Sequence, residues 1–254
     1  MQNKNKTVIK SMDLLTLFLT HPKLSFNEMI KVSGMPKTSV HRMLGSLEDM
    51  GFLDKDEDGK YSLGLLFLQY GQLVADRLDI RQIALPYMKF LRDEMGEAVN
   101  LTIRDQHEAM YIEKVDTTQP VRLYTAIGRK SPLYAGACSR VLLAFLPEDE
   151  LEQYLQDVEL RAIGSGTITD QEKLRKVLKE TQRNGYTISN SELEDYTTSI
   201  AAPIFNHKRE VVAGISVAGP NVRFQAETIP VIIDKVKEVA EKISVKLGYD
   251  NKKE

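Results

Sequence analysis

The stretch PKTSVHRMLGSLEDMG, residues 36–51, decides the fold of the N-terminal part of the chain. Pro36 suits the first position of a helix, because no N–H group is needed there, and Gly51 is typical of a helix end. One side of this stretch is apolar at helical spacing, with Val40, Met43, Leu44, Leu47 and Met50. The other side carries cationic, imidazole and hydroxyl groups, on Lys37, Thr38, Ser39, His41, Arg42 and Ser46. The stretch therefore predicts a helix with one buried and one exposed side.

Two further helices are predicted ahead of this one. An apolar stripe predicts a helix over residues 7–21, which Pro22 ends; the stripe consists of Val8, Met12, Leu15 and Leu19. Ser25 and Glu28 form a capping box that begins a second helix, and Gly34 ends it. A short helix, a glycine turn and a helix with a polar outer side are typical of a helix-turn-helix, whose second helix enters the major groove of DNA. An ordinary three-helix domain with a solvated surface is the alternative.

A β-hairpin is predicted to follow the third helix. Residues 52–54 and 61–63 are short strand-like runs, and Asp58-Gly59 between them is a strong turn signal. Three helices followed by a hairpin indicate a winged helix-turn-helix. Residues 1–47 carry seven Lys and Arg against two Asp and Glu, although the whole chain has a net charge of −2. The wing itself is acidic, with Asp54, Asp56, Glu57 and Asp58, so phosphate should repel it, and its contact with DNA stays open.

Length and composition exclude several classes of protein. A chain of 254 residues suits two domains, and its single cysteine, Cys138, excludes an intramolecular disulfide and a Cys-rich zinc site. Four scattered histidines show no metal-ligand spacing, so we expect no metal and no cofactor. No apolar run approaches the roughly 20 residues that span a bilayer, and no signal peptide is recognisable. We therefore expect a cytoplasmic protein without a membrane partner.

The remaining chain predicts a connector and an α+β domain. Residues 65–79 contain leucines at helical spacing, together with Val74, which predicts a connector helix that buries this side in a homodimer; a helix folded back on its own wing is the alternative. Beyond it, strands joined by hairpins alternate with helices, which indicates an antiparallel sheet. Helices are predicted over residues 80–94, with an interruption at Pro86, from a capping box at 169–172, and over 228–247. Strands are predicted over residues 99–103, 110–115, 121–126, 187–189, 199–205 and 211–217.

One segment of this domain suggests a ligand site. Small residues from Ala135 to Ser139 lead from a loop into a helix and would leave the first N–H groups of that helix uncovered. Such N–H groups and the helix dipole favour an anion, so a carboxylate metabolite is one interpretation. The alternative is that small residues let the helix pack closely on the sheet.

Several motifs resemble the IclR family of bacterial transcriptional regulators. They are Lys10-Ser11, the run from Pro36 to Leu44, the turn from Leu47 to Leu53 and the run from Lys60 to Gly64, and the similarity continues over nearly the whole chain. The resemblance implies a winged helix-turn-helix over residues 1–64, a dimerisation helix over 65–79 and a GAF-like effector domain over 80–254. It also implies a pseudopalindromic double-stranded operator, a small-molecule effector and a homodimer, with a tetramer left open. We expect a repressor of a metabolic operon.

The resemblance also implies where an effector binds. It points to the backbone of Ala137 and Cys138, to the side chains of Ser189 and Ser199, and to Leu123 in the pocket wall. We add Tyr134 and Ser139, from the loop before the helix. This chain has hydroxyl groups where some relatives have an acidic or cysteine contact, and Ser139-Arg140 where many read Gly-Lys, so the effector's identity does not carry over.

Two other functions remain as alternatives. Cys138 lies near a helix N-terminus, which can lower a thiol pKa, so it could be the nucleophile of an enzyme; a small buried apolar residue is the simpler interpretation. The acidic wing also permits an interaction adaptor that no longer binds DNA. Salt dependence of DNA affinity would separate this adaptor from a DNA-binding regulator.

Overall fold

The computed structural model describes residues 5–75, 79–123 and 125–250, without the side chains of residues 71, 72, 74 and 75. The chain divides into two compact units between residues 78 and 79. The first unit contains α1 (Lys6–Thr16), β1 (Leu24–Ser25), α2 (Phe26–Ser33), α3 (Lys37–Asp49), β2 (Leu53–Lys55), β3 (Lys60–Leu63) and α4 (Leu66–Ala75). Its strands form an antiparallel sheet in the order β1-β3-β2. The predicted helix-turn-helix and wing are confirmed, and β1 adds a strand too short to leave a pattern in the sequence.

The local signals around α2 and α3 act as the sequence predicts. Ser25 and Glu28 form the capping box of α2, and Gly34 ends it in the left-handed conformation with φ 66°. The buried side of α3 consists of Val40, Met43, Leu44 and Leu47. Met50, predicted to be buried, is exposed because the helix ends at Asp49.

The prediction for the first helix is wrong in its end and in its buried side. Val8, Met12 and Leu19 are exposed, Val8 at 58%, whereas Leu14 and Phe18 are buried with Leu15. After Thr16 the chain tightens into a 3-10 turn, Leu17–Leu19, which ends the α-helix well before Pro22. This helix has two apolar sides, and periodicity alone does not tell which of them meets the core.

The second unit is an α+β fold with an antiparallel sheet, as predicted. Its helices are α5 (Ile80–Met95), α6 (Ala137–Ala144), α7 (Glu148–Asp157), α8 (Gln171–Asn184) and α9 (Ile229–Lys246). Its strands are β4 (Ala98–Asp105), β5 (Glu108–Val115), β6 (Lys130–Pro132), β7 (Thr187–Asn190), β8 (Thr197–Phe205) and β9 (Val211–Pro220). They form one sheet in the order β6-β5-β4-β9-β8-β7.

Alternate residues of the central strands divide this sheet into two faces. We call one the apolar face: it packs in one core with residues of α5 and α9, and includes Val99, Leu101, Ile200, Ile215 and Val217. We call the other the polar face, and it carries Asn100, Thr102, Ser189, Ser199, Gly214 and Ser216. Helix α6 packs against β4, β8 and β9 on the polar face.

A glycine lets α6 approach the polar face closely. A Cβ atom at Gly214 would lie 2.6 Å from the Cys138 carbonyl oxygen and 2.7 Å from a Val141 methyl group. Both distances are well inside normal van der Waals contact, so only glycine is accommodated here without a shift of the helix.

Three further predictions for this unit need correction. No strand is formed by described residues 121–123 and 125–126, and the edge strand is β6 instead. Helix α5 continues through Pro86 without interruption, because Pro86 is exposed and water can solvate the carbonyl group that loses its partner. Helix α8 begins one residue late, with Asp170 as its cap accepting from the Lys173 N–H at 2.7 Å, so the predicted capping box at 169–172 is absent.

Candidate functional sites

The polar side of α3 is a solvent-facing surface. Lys37, Thr38, His41, Arg42 and Ser46 are exposed and Ser39 is half-buried, while the opposite side of the helix is buried in the first unit. We call these six side chains the α3 surface. The core therefore fixes the helix and leaves its cationic and hydroxyl groups available to a ligand.

An aromatic ring from α2 holds two members of this surface. The Phe26 ring meets the His41 ring edge-on at 5.9 Å between centroids, and the Lys37 ammonium lies 5.9 Å from the Phe26 centroid. Such contacts reduce the freedom of two polar side chains at the N-terminal part of α3, which is the part of a recognition helix that reaches base edges.

One acidic residue of the wing, Asp56, has a structural role. The Asp56 carboxylate accepts from the Lys23 ammonium at 2.8 Å and from the Lys60 N–H at 2.9 Å, so it shapes the turn of the hairpin. The hydrogen bond from Lys23 holds the pKa of Asp56 below its usual value. Asp54, Glu57 and Asp58 stay exposed, and the wing keeps the negative charge that its sequence predicts.

A cavity of about 450 Å³, counted with its open mouth, lies on the polar face of the large sheet at the N-terminus of α6. Five of the seven predicted effector residues line it, namely Leu123, Ala137, Cys138, Ser189 and Ser199. The other lining residues are Asn100, Tyr111, Thr125, Arg129, Gly136, Leu193, Glu194, Thr197, Ser216 and Ala218. Polar groups thus come from five strands, and Leu193 and Glu194, from the segment between β7 and β8, close one side.

Tyr134 and Ser139 do not line this cavity. The Tyr134 hydroxyl donates to the Arg161 carbonyl oxygen at 3.0 Å and accepts from the Arg161 N–H at 3.1 Å. The Ser139 hydroxyl forms a hydrogen bond with the Ser131 hydroxyl on β6 at 2.8 Å, and Ser139 is fully buried. Both side chains hold the segment that leads into α6 rather than face the cavity.

A carboxylate of the protein itself lies at the start of α6. Glu192 accepts from the Gly136 N–H at 2.9 Å and forms an ion pair with Arg140 at 2.6 Å; the side chains are 4% and 1% exposed. Arg140 also donates to the Thr187 hydroxyl and to the Ile188 carbonyl oxygen. We call Gly136, Arg140 and Glu192 the Glu192 tie, because they join the start of α6 to the segment between β7 and β8. Among the described residues, the next N–H groups, of Ala137 and Cys138, have no partner.

The environment of Cys138 does not favour a nucleophile. The thiol is buried and lies 3.0 Å from the Thr102 hydroxyl and 3.2 Å from the Gly214 carbonyl oxygen. Burial raises the pKa of Cys138 to about 11, so the reactive thiolate is scarce near neutral pH. Moreover, none of the described cavity-lining residues is a histidine that could act as its base.

The sequence analysis missed two polar side chains that line the cavity, those of Asn100 and Arg129. Asn100 is 3% exposed and its amide oxygen has no hydrogen-bond partner. The Arg129 guanidinium pairs with Glu194 at 2.6 Å. Asn100 carries a usable signal, a polar residue at an inward position of an alternating strand, whereas nothing in the local sequence marks Arg129.

Two kinds of feature are absent from the part of the chain that is described. No cluster of three or more His, Cys, Asp or Glu side chains there is placed to hold a metal ion. None of its helices has the length and apolar character required to cross a membrane.

Comparison with known proteins adds an independent line of evidence. Residues 72–245 match the family model for the C-terminal domain of the bacterial transcriptional regulator IclR, and residues 7–57 match that for the IclR helix-turn-helix domain. The HTH-type transcriptional regulator KipR of Bacillus subtilis is 61% identical, over 98% of this chain and 100% of KipR. The transcriptional repressor IclR of Escherichia coli is 28% identical, over 89% of this chain and 83% of IclR. The crystal structure of the Thermotoga maritima IclR is similar with a TM-score of 0.66 and 34% identity, covering 96% of this chain and 99% of that one.

Proposed function

The chain belongs to the IclR family of bacterial transcriptional regulators, and from that premise we propose that it is a homodimeric repressor of a metabolic operon, controlled by a small carboxylate. As a member of this family it is a DNA-binding transcriptional regulator rather than an enzyme. The observation that carries the proposal is the pairing of an exposed cationic α3 surface with a polar cavity in the other unit. The name of the Escherichia coli relative, a repressor, supports the direction of control.

DNA binding is assigned to the α3 surface in the major groove. Lys37 neutralises phosphate, whereas Arg42 contacts base edges. Each neutralised phosphate releases counterions, so the affinity for operator DNA falls steeply with salt. Lys37→Ala weakens binding to all sequences and lowers the salt slope by about 1, and Arg42→Ala relaxes base preference.

Gel-shift titrations over a range of salt concentrations test this assignment. Lys176→Ala is a matched control, because Lys176 is an exposed lysine on α8 of the other unit. Binding that does not respond to salt, or an effect of Lys176→Ala equal to that of Lys37→Ala, rejects the assignment and favours the interaction adaptor.

The homodimer is assigned to the connector. Phe67 of α4 contacts Phe52 at 5.4 Å between ring centroids, so one side of the helix packs on its own unit, while Leu65 and Leu68 are 75% and 70% exposed. A second copy would remove these leucines from water. The Val74 side chain and Leu78 lie outside what the structure describes.

Sedimentation measurements on Leu68→Glu test the dimer. This change places a charge in the proposed interface and yields monomers, whereas Gln69→Glu, at the next exposed position, leaves the dimer intact. A dimeric footprint covers two half-sites spaced by helical turns of DNA. A dimer that is unaffected by Leu68→Glu places the interface elsewhere.

Control by an effector is assigned to the cavity. The N–H groups of Ala137 and Cys138 receive the carboxylate, and Ser189, Ser199 and Leu123 complete the contact surface. Binding reorders the segments at 134–139 and 190–198 and thereby changes how the two DNA-binding units of the dimer are held. Such control requires different affinities in the two states.

Calorimetry with small carboxylates, on the free protein and on the operator complex, tests this coupling. We expect tighter binding to the free protein, and transcription from the operator should resume when the acid is added. Equal affinity for both forms contradicts the mechanism.

A further inference from the structure

We propose that the effector carries, beside its carboxylate, an N–H or O–H group that Asn100 recognises, and that it has a single negative charge. This inference rests on the proposed function of the cavity, because it assumes that the ligand is the regulatory effector. It goes further by assigning a specificity-determining role to a residue outside the predicted site.

The first observation is the position of Asn100. It lies at the centre of the sheet in β4, opposite Lys114 on β5 and Ser216 on β9. Pairing on both sides holds its backbone, and the residue is 3% exposed. Its side chain therefore cannot turn into solvent to find a partner.

The second observation is the lack of any protein partner for the amide. The Asn100 oxygen is buried without a hydrogen bond, and the amide nitrogen donates none to the residues that the structure describes. Leaving a buried polar group unpaired is unfavourable, and native proteins do it rarely. Two other buried polar side chains nearby do have partners: Thr102 on β4 donates to the Cys138 carbonyl oxygen, and Arg140 on α6 pairs with Glu192.

The third observation is that Asn100 lines the same cavity as Ala137 and Cys138. The cavity therefore offers two separate recognition points, the helix N–H groups for an anion and a carboxamide for a second polar group. Whichever way the amide is turned, it presents an acceptor and two donors, so it pairs with either a hydroxyl or an amide group of a ligand.

The charges at the cavity limit the ligand further. Arg129 is the one cationic side chain among the described lining residues, and it is paired with Glu194 at 2.6 Å, so these two side chains offset each other and leave no described cation for a second carboxylate. Arg140 is likewise neutralised by Glu192. A monocarboxylate with a polar group is therefore the class that matches the cavity.

The experiment uses calorimetry on the full-length protein with two matched pairs of acids. One pair is N-acetylglycine and 4-oxopentanoate, which differ by N–H against CH₂, and the other is 2-hydroxybutyrate and butyrate. We expect the polar acid of at least one pair to bind about 10-fold tighter than its partner, because the partner leaves the amide unpaired. Succinate, which carries two charges, should bind more weakly than either polar acid.

Asn100→Leu keeps the size of the side chain and removes its polarity, so the preference should fall below about 3-fold while 4-oxopentanoate and butyrate still bind. Asn100→Thr, which repeats Thr102 on the same face, covers the case in which the leucine variant does not fold. Asn221→Leu, the same change at an exposed asparagine that does not line the cavity, is the control, and we expect it to keep the preference. Circular dichroism checks that each variant is folded.

The outcomes separate this inference from the proposed function. If none of the five acids binds, the carboxylate cavity itself is rejected, and the inference with it. If acids bind but without preference for the polar members, or if Asn100→Leu and Asn100→Thr keep the preference, the role of Asn100 is overturned while the carboxylate cavity stands. Succinate binding at least as tightly as the polar acids overturns the single charge.

Discussion

The two faces of the large sheet come from the same strands but differ in composition and in packing. On the apolar face Val99, Leu101 and Ile215 form a continuous core with α5 and α9. On the polar face, one residue away along each strand, Asn100 and Ser216 border a cavity. Because successive side chains of a strand point to opposite sides, one segment of sequence specifies both stability and recognition, and a substitution affects mainly one of them.

The largest expected effect challenges this division, because it falls on helix α6, which packs on the polar face. Arg140→Ala leaves Glu192 buried without its cation, and removing one partner of a buried ion pair costs about 3–5 kcal/mol of unfolding free energy. Urea unfolding measures this loss. Arg161→Ala is the control, because Arg161 pairs with Glu159 on the surface and its removal should leave the midpoint unchanged. Similar midpoints for both variants would mean that the Glu192 tie contributes nothing to stability.

The next effect tests the apolar face. Leu101 is completely buried, and Leu101→Ala should lower the unfolding free energy by about 3 kcal/mol through lost transfer energy and a cavity. Its counterpart Ser199→Ala should cost less than about 1 kcal/mol and should instead weaken carboxylate binding. Urea unfolding and calorimetry on both variants measure the two quantities. The comparison breaks down if Leu101→Ala changes ligand affinity in the folded protein as much as Ser199→Ala does.

A third substitution probes the contact between the polar face and α6. Gly214→Ala places a methyl group 2.6 Å from the Cys138 carbonyl oxygen, so α6 must shift away from the sheet. Overpacking of this kind typically costs about 1–3 kcal/mol. The shift should also weaken binding of a carboxylate, since the N–H groups of Ala137 and Cys138 move. Gly45→Ala is the control, because nothing lies within 4 Å of the added atom.

The smallest effect concerns Cys138 and emerges only at alkaline pH. Burial raises the pKa of Cys138 from its ordinary value of 9.0 to about 11 in the folded protein, so the unfolded chain loses the thiol proton first as pH rises. Stability is therefore lost between about pH 9 and 11, and Cys138→Ala should flatten that decline. Near pH 8 iodoacetamide should label the unfolded chain but scarcely the folded one. Rapid labelling of the folded protein would reveal an accessible, activated thiol.

The sequence correctly predicted features that depend on contacts between residues close together in the chain. The capping box of Ser25 and Glu28, the apolar side of α3 from Val40 to Leu47 and the hairpin at Asp58-Gly59 depend on neighbours in the chain, and the structure confirms them. The buried side of α1 depends on what the rest of the unit packs against it. This helix has apolar residues on two sides, and the sequence prediction of the buried side was wrong.

The sequence predicted several residues that line the candidate cavity, but not the ion pair beside it or the unpaired amide inside it. The family resemblance placed Ala137, Cys138, Ser189 and Ser199 at one site, and they do line one cavity. The Glu192 tie joins residues 52 positions apart, and no local pattern pairs Arg140 with Glu192. Asn100 becomes conspicuous only when the hydrogen bonds around it are known.

Arg140 and Glu192 fix the rim of the cavity from outside it, since neither side chain is among those that line it. The buried ion pair that holds the start of α6 is therefore formed by side chains other than those that line the cavity. Under the proposed function, substitutions at Asn100, Ser189 and Ser199 are expected to change which acid binds while the scaffold stays folded. A chain organised in this way is a practical starting point for genetically encoded sensors, and the same separation lets gene duplicates acquire new inducers by a few substitutions.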